Sequence, residues 1–392
     1  MKKRIFRYLK HILITFLIGL CSFIIIAFLT GNALKHSRNN LADNWNNEGP
    51  YVFFNNDSLL NINYLKGDKE NGFELEKSTS KIDSLIELRC YYPLDSTSFN
   101  FVINTKFKIP KSTYSDSQKI VAISDIESNY KTFRDFLINS NVIDKELNWT
   151  FGKNHLVLVG DFIDRSYFTT QVLWFIYKLE QDAKSKGGNV HYILGNHEIM
   201  NMQGDHRYAE SKYNHLASIL GKKQFEFYGK NSFIGRWLES KNTIELINGN
   251  LFVHGGISPK LENTELNIDE LNQLIRENYY KPYFPKKNGE KTQELLTSSI
   301  TSPYWYRGYF KNDLSQEEID IGLNKFNAKA VIVGHTIQSK VNRTYNGKVI
   351  GIDVKHPQDY YEYFPAITSE GLLIKNGKYY RVFENGETEE MK

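Results

Sequence analysis

Five short apolar runs most constrain what this chain can fold into. Segments 120–124, 156–159, 190–194, 251–253 and 330–333 are nearly continuous in Val, Ile, Leu and Ala, with no alternation of apolar and polar residues. A strand with one face in water alternates, whereas one covered on both faces does not. The runs therefore predict buried strands in a layered α/β body, with helices over 130–140, 169–185, 211–220, 232–240 and 269–280. Each run ends in polar or glycine chemistry: Asp125, then Gly160-Asp161, Gly195-Asn196-His197, His254-Gly255-Gly256 and Gly334-His335. In open α/β sheets, sites form beyond the carboxyl ends of the strands.

The residue types at those ends are those of a metal centre. In Asp125-Ile126-Glu127, an extended backbone turns both carboxylates to one side. With Asp161, Asn196, His254 and His335 they make three carboxylates, one carboxamide and two imidazoles. His197, Asp164 and Arg165 stand beside them. Oxygen and imidazole donors suit two hard or borderline divalent ions, and a pair about 4 Å apart can hold a hydroxide between them and neutralise a phosphoryl group. Each residue also has a plainer reading. Asp161 and Asp164 could cap the helix expected to begin near Ser166, Asn196 could mark a turn, and Glu127 could face solvent. Arg165 could cover a carboxylate surface. Arg307, in Tyr304-Trp305-Tyr306-Arg307-Gly308, could simply stack or pack. Their order at successive strand ends favours the joint reading.

The strings GDFIDR, GNHE, HGG and GHT, in that order, resemble the calcineurin-like metallophosphoesterases. Asn201 to Tyr208 and Tyr304 to Gly308 are similar to the phosphoprotein-phosphatase-like bacterial branch named after Shewanella enzymes. The resemblance covers residues 119–383 and implies a β-sandwich of two mixed sheets flanked by helices. It further implies that Asp161 bridges two divalent ions, the first also held by Asp125 and residue 127, the second by Asn196, His254 and His335. His197, oriented by Asp164, would serve the leaving oxygen, and Arg165 and Arg307 would grip phosphoryl oxygens. One departure stands out: the family usually has Asp-x-His where this chain has Asp125-Ile126-Glu127. An all-carboxylate first site leans towards manganese, with iron or zinc as alternatives.

Ahead of this body, 12–29 is an uncharged apolar run preceded by Lys2, Lys3, Arg4, Arg7 and Lys10. As a helix it would span about 27 Å, near the minimum for a bilayer core. The basic flank predicts a single-pass inner-membrane anchor with the body on the periplasmic or extracytoplasmic side; a cleaved signal peptide is the alternative. Those five basic residues also account for the net charge of +4, since 44 basic and 45 acidic residues remain after Gly31. No nucleic-acid partner is expected. Cys21 lies in the apolar run and only Cys90 remains, so the body has no internal disulfide. The domains expected are tail and anchor 1–31, stalk and small β-rich accessory region 32–118, catalytic domain 119–383 and tail 384–392.

The function expected is metal-dependent hydrolysis of a phosphoric monoester, with a phosphorylated small molecule or phosphoprotein as substrate. Phosphotyrosine and small aryl phosphates are the groups that the bacterial branch implies. The alternatives are a phosphodiesterase, a dinucleoside polyphosphate hydrolase, or a non-catalytic metal-binding module on a membrane anchor.

Overall fold

The computed structural model describes residues 2–30, 33–262, 264–282, 284, 291–311 and 314–392. All five apolar runs are strands, and they fall in two six-stranded mixed sheets. The first runs edge to edge through Asn189–Ile193, His155–Val159, Ile120–Ile123, Glu370–Lys375, Lys378–Phe383 and Thr388–Glu390. The second runs through Asn342–Thr344, Val349–Gly351, Ala330–Val333, Asn250–Val253, Ile244–Ile247 and Thr113–Tyr114. Strands His155–Val159 and Ile120–Ile123 are parallel, as are Asn250–Val253, Ala330–Val333 and Val349–Gly351. Parallel neighbours put the chemical segments at one end of the sheets.

The absence of alternation has a direct cause. Ile120, Ala122, Val157 and Val159 meet Phe252, Ile332 and Ile350 in a core between the sheets. Their sequence neighbours Val121, Ile123, Leu156 and Leu158 belong to a second core shared with the helices. Helices Tyr130–Asn139 and Thr169–Ser185 fall where the sequence puts them.

Three segments outside residues 119–383 pair with strands inside that range. The polar stretch read as a stalk contains the strand Leu34–Arg38, paired antiparallel with Tyr361–Phe364. Thr388–Glu390, in the C-terminal tail, extends the first sheet by pairing with Lys378–Phe383. Thr113–Tyr114, just ahead of residue 119, pairs with Ile244–Ile247 in the second sheet. At the end of the sheets away from the chemical segments, buried His155 and His191 join Asp116 to Glu245. The ring nitrogens are 2.8 Å apart, and His191 Nδ1 lies 2.6 Å from the Glu245 carboxylate.

Residues 48–103 share the helix-side core. Glu48–Phe54, Leu59–Asp68 and Gly72–Lys81 form an antiparallel sheet, and Ile86–Tyr92 pairs with Thr97–Ile103. Trp174, from helix Thr169–Ser185, stacks on Phe101 at 4.7 Å and donates its indole N–H to the Pro50 carbonyl at 2.9 Å. Beside them, Glu48 accepts from Lys212 Nζ at 2.9 Å and from the Thr170 hydroxyl at 2.7 Å. Both charged side chains are at most 2% exposed. Lys212→Met strands the Glu48 charge, and urea unfolding should register a loss of about 3–5 kcal/mol. Adding Glu48→Gln should recover much of it; two additive losses would show that the charges do not depend on each other.

The N-terminal helix spans Lys2–Thr30. Its Lys3–Ala27 stretch is long and apolar enough to be a membrane anchor, a description that a signal sequence also meets.

Candidate active site

Where the strands stop, the backbone turns sharply. Asp125, Glu127, Asp161, Asp164, Arg165 and His335 all have φ between 50° and 70°. Left-handed non-glycine residues cost about 1–3 kcal/mol each and persist where the surroundings over-determine them. Here the surroundings are the loops themselves. The Asp125 N–H donates to the Gly160 carbonyl and the Glu127 N–H to the Asp161 carbonyl, both at 3.0 Å. These turns bring together side chains that lie far apart in sequence.

Glu198 fastens two of the loops. Its buried carboxylate accepts from the N–H groups of Asp161 at 3.0 Å, Phe162 at 2.8 Å and Gly195 at 2.8 Å, and from the Tyr192 hydroxyl at 2.9 Å. Asp161 is thereby held against the start of helix Asn196–Met202, and its Oδ1 accepts the His197 N–H at 2.9 Å. Space is tight. A Cβ on Gly195 would collide with the Asp161 carboxylate, and one on Gly334 would lie 2.5 Å from Asp125 Oδ2.

Asp161, His254 and His335 present donor atoms within 4.8 Å of one another. The histidines are oriented from behind. His254 Nδ1–H donates to the Val159 carbonyl at 2.7 Å, which leaves Nε2 facing Asp161 Oδ2 at 3.1 Å and Asn196 Oδ1 at 3.2 Å. His335 Nε2–H donates to the Trp305 carbonyl at 3.0 Å and leaves Nδ1 inward. Histidines fixed through one nitrogen with the other converging on carboxylates make a donor set that fits divalent cations. Asp125 joins through Oδ2, which accepts the His335 N–H at 3.1 Å. Glu127 stands outside the tight group, its carboxylate 3.1 Å from Arg165 Nη1.

The centre is rich in negative charge. Burial, then the neighbouring Asp125 and Asp161 carboxylates, raise Glu127 to about 7 despite Arg165. Burial likewise pushes Asp125 up. Cations would relieve both.

His197 lies beside this group. Its Nδ1–H donates to Asp164 Oδ2 at 2.8 Å, and its Nε2 is 3.3 Å from Arg165 Nη2. Burial would lower its pKa, but the Asp161 and Asp164 carboxylates outweigh burial and raise it to about 9. Asp164 does not cap the following helix, which begins only at Thr169. Asn201 donates to both Asp164 oxygens at 2.9 Å and accepts from His206 Nδ1 at 2.9 Å. The sequence reading assigned no role to Asn201 or His206; their place in the Asn201–Tyr208 string was the available signal. In that string Arg207 and Asp205 form an exposed pair, and Tyr208 lies 5.1 Å from the His197 ring. Arg307 donates to the His335 carbonyl, and the Trp305 ring lies edge-on to the His335 ring.

Below Asp125, buried His356 donates from Nε2 to the Ser124 carbonyl at 2.9 Å, and its Nδ1 accepts from the Ser369 hydroxyl at 2.8 Å. Burial lowers its pKa to about 4. In the unfolded chain a histidine takes up its proton near pH 6.5, ahead of the folded form. The contribution of about 3 kcal/mol is therefore complete above pH 6.5 and drains away as pH falls towards 4. His356→Gln should flatten unfolding free energy across that window; an unchanged slope would assign the acid sensitivity elsewhere.

Sequence and structure comparisons identify the family. The family model described as calcineurin-like phosphoesterase matches residues 118–339, and the chain belongs to that family. It is a metallophosphoesterase, an enzyme family that works with divalent metal ions. Within it, similarity runs to the Shewanella-like protein phosphatases. The Shewanella-like protein phosphatase 2 of Arabidopsis thaliana is 26% identical over 67% of this chain and 76% of its own length. The Shewanella-like protein phosphatase 1 of Plasmodium berghei is 28% identical over 62% and 66%. The crystal structure of the cold-active protein-tyrosine phosphatase of a psychrophilic Shewanella species superimposes with a TM-score of 0.76. That protein is 31% identical, and the match covers 88% of this chain and 99% of the Shewanella chain.

Proposed function

We propose that the protein hydrolyses phosphoric monoesters, with phosphotyrosine or small aryl phosphates as substrates, using two divalent cations of which manganese suits the first site. The convergence of Asp161, His254 and His335 within 4.8 Å carries this reading. Asp161 would serve both cations, with Asp125 and Glu127 at the first and Asn196, His254 and His335 at the second. When bound, the cations supply Lewis-acid charge and an activated water.

The protein's own groups do the rest. Arg165, beside Glu127 and His197, and Arg307, beside His335, would hold phosphoryl oxygens, for which a planar fork of N–H donors is suited. For Arg165 this means leaving Glu127, an exchange of one anion for another. His197, fixed through Nδ1 by Asp164, holds a proton at Nε2 where the leaving oxygen needs one. Tyr208 beside His197 offers an aromatic wall to an aryl leaving group. The N-terminal helix, on this reading, anchors the body on the extracytoplasmic face of the inner membrane.

A panel of matched aryl phosphate monoesters and diesters, tested with manganese, iron and zinc, checks the proposal. Monoester turnover should exceed diester turnover by at least tenfold. A preference for diesters would favour the phosphodiesterase reading, and no turnover with any ion would favour a binding module.

A further inference from the structure

One carboxylate near the centre was not among the expected site residues. Asp125, Asp161 and His335 each stand two residues beyond the last residue of a strand, Ile123, Val159 and Val333. Asp353 obeys the same rule, two residues beyond Gly351. Gly351 pairs with Val333 in parallel register, so His335 and Asp353 leave the sheet at the same level and the same end. The backbone fixes this placement. The Ile352 N–H donates to the Val333 carbonyl and the Gln338 N–H to the Asp353 carbonyl, both at 2.8 Å.

Asp353 is 7% exposed. Other buried acids of the site are compensated: Glu127 has Arg165, Asp164 has Asn201 and His197, and Glu198 has three amides. Among the described residues, no hydrogen bond or ion pair reaches the Asp353 carboxylate. The charges that act on it most strongly are those of Asp125 and Glu127, which are themselves negative, and although His254 and Arg307 act in the opposite sense neither forms an ion pair with it. A buried carboxylate among carboxylates is costly unless a cation serves it.

We infer that Asp353 is a further ligand of the metal centre, completing with Asp125, Glu127 and Asp161 an all-oxygen shell for the first cation. The inference rests on the two-cation reading. It gives that reading a structural basis for hard-ion preference, since a fourth oxygen donor accompanies the missing imidazole at residue 127.

The test is a manganese titration of metal-stripped full-length protein in detergent, by calorimetry and electron paramagnetic resonance, for wild type and Asp353→Asn. Wild type should bind two Mn²⁺ and show the signal of a coupled pair. Asp353→Asn should keep one ion, bind the other at least ~10-fold more weakly and lose the coupled signal. In EDTA the variant should melt no lower than wild type, because an uncompensated charge has gone. Two ions at wild-type affinity in the variant would overturn the assignment alone. A lower melting temperature in EDTA with both ions weakened would make Asp353 structural and also overturn it. A single ion in wild type would overturn the two-cation reading and this assignment with it.

Discussion

Asp161→Asn should reduce kcat/KM on an aryl phosphate by at least ~10³-fold, the largest effect expected of any single substitution in this protein. Residues that only support a metal ligand cost about 10–100-fold, and Asp161 has more to do than support. One oxygen receives the His197 N–H and the other faces His254, while its backbone N–H rests on Glu198. Asparagine retains the shape and the Oδ1 acceptor but removes the charge that would attract both cations. Folding should survive, so the loss should appear as missing metal by mass spectrometry on soluble protein. Full activity in this variant would sink the metal-centre reading.

The second large effect concerns His197. His197→Asn should lower turnover by about 10²–10⁴-fold on an alkyl phosphate, the usual range for removing a general acid. The loss should shrink towards tenfold on p-nitrophenyl phosphate, whose leaving group departs without a proton. This contrast separates proton delivery from simple phosphate binding, which would depress both substrates alike. Asp164→Asn should repeat the pattern in weaker form, because Nδ1 would lose its carboxylate partner while the imidazole remained. Equal losses on both substrates would assign His197 to binding.

The two-sheet body was legible because burial on both faces leaves an unbroken apolar imprint, as in 120–123 and 330–333. The loop residues were legible because each follows such a run. Segments with partial exposure left weaker imprints. Strand Gly72–Lys81, within the expected β-rich region, has such an imprint: Phe73 and Leu75 alternate with Glu74 and Glu76, then give way to Ser and Thr. Leu34–Arg38 reads as stalk because Lys, His, Ser and Arg fill an exposed edge strand. The same limit applied to individual residues. Asn201 acts from within a helix on an acid 37 positions away, and nothing in local sequence ties the two. Asp353 carried a usable signal, its spacing from the strand before it, but no glycine or histidine beside it drew attention.

The bonding of Glu198 has a consequence for how such a centre can change. Three amides and a phenol, from two loops and a strand, converge on one side chain, so the GDFIDR and GNHE segments behave mechanically as a single part. Neither can be shortened, grafted or drift alone without stranding donors of the other. Redesign aimed at a different ion therefore has more freedom at residues 127 and 353, whose carboxylates take part in no such clasp among the described residues.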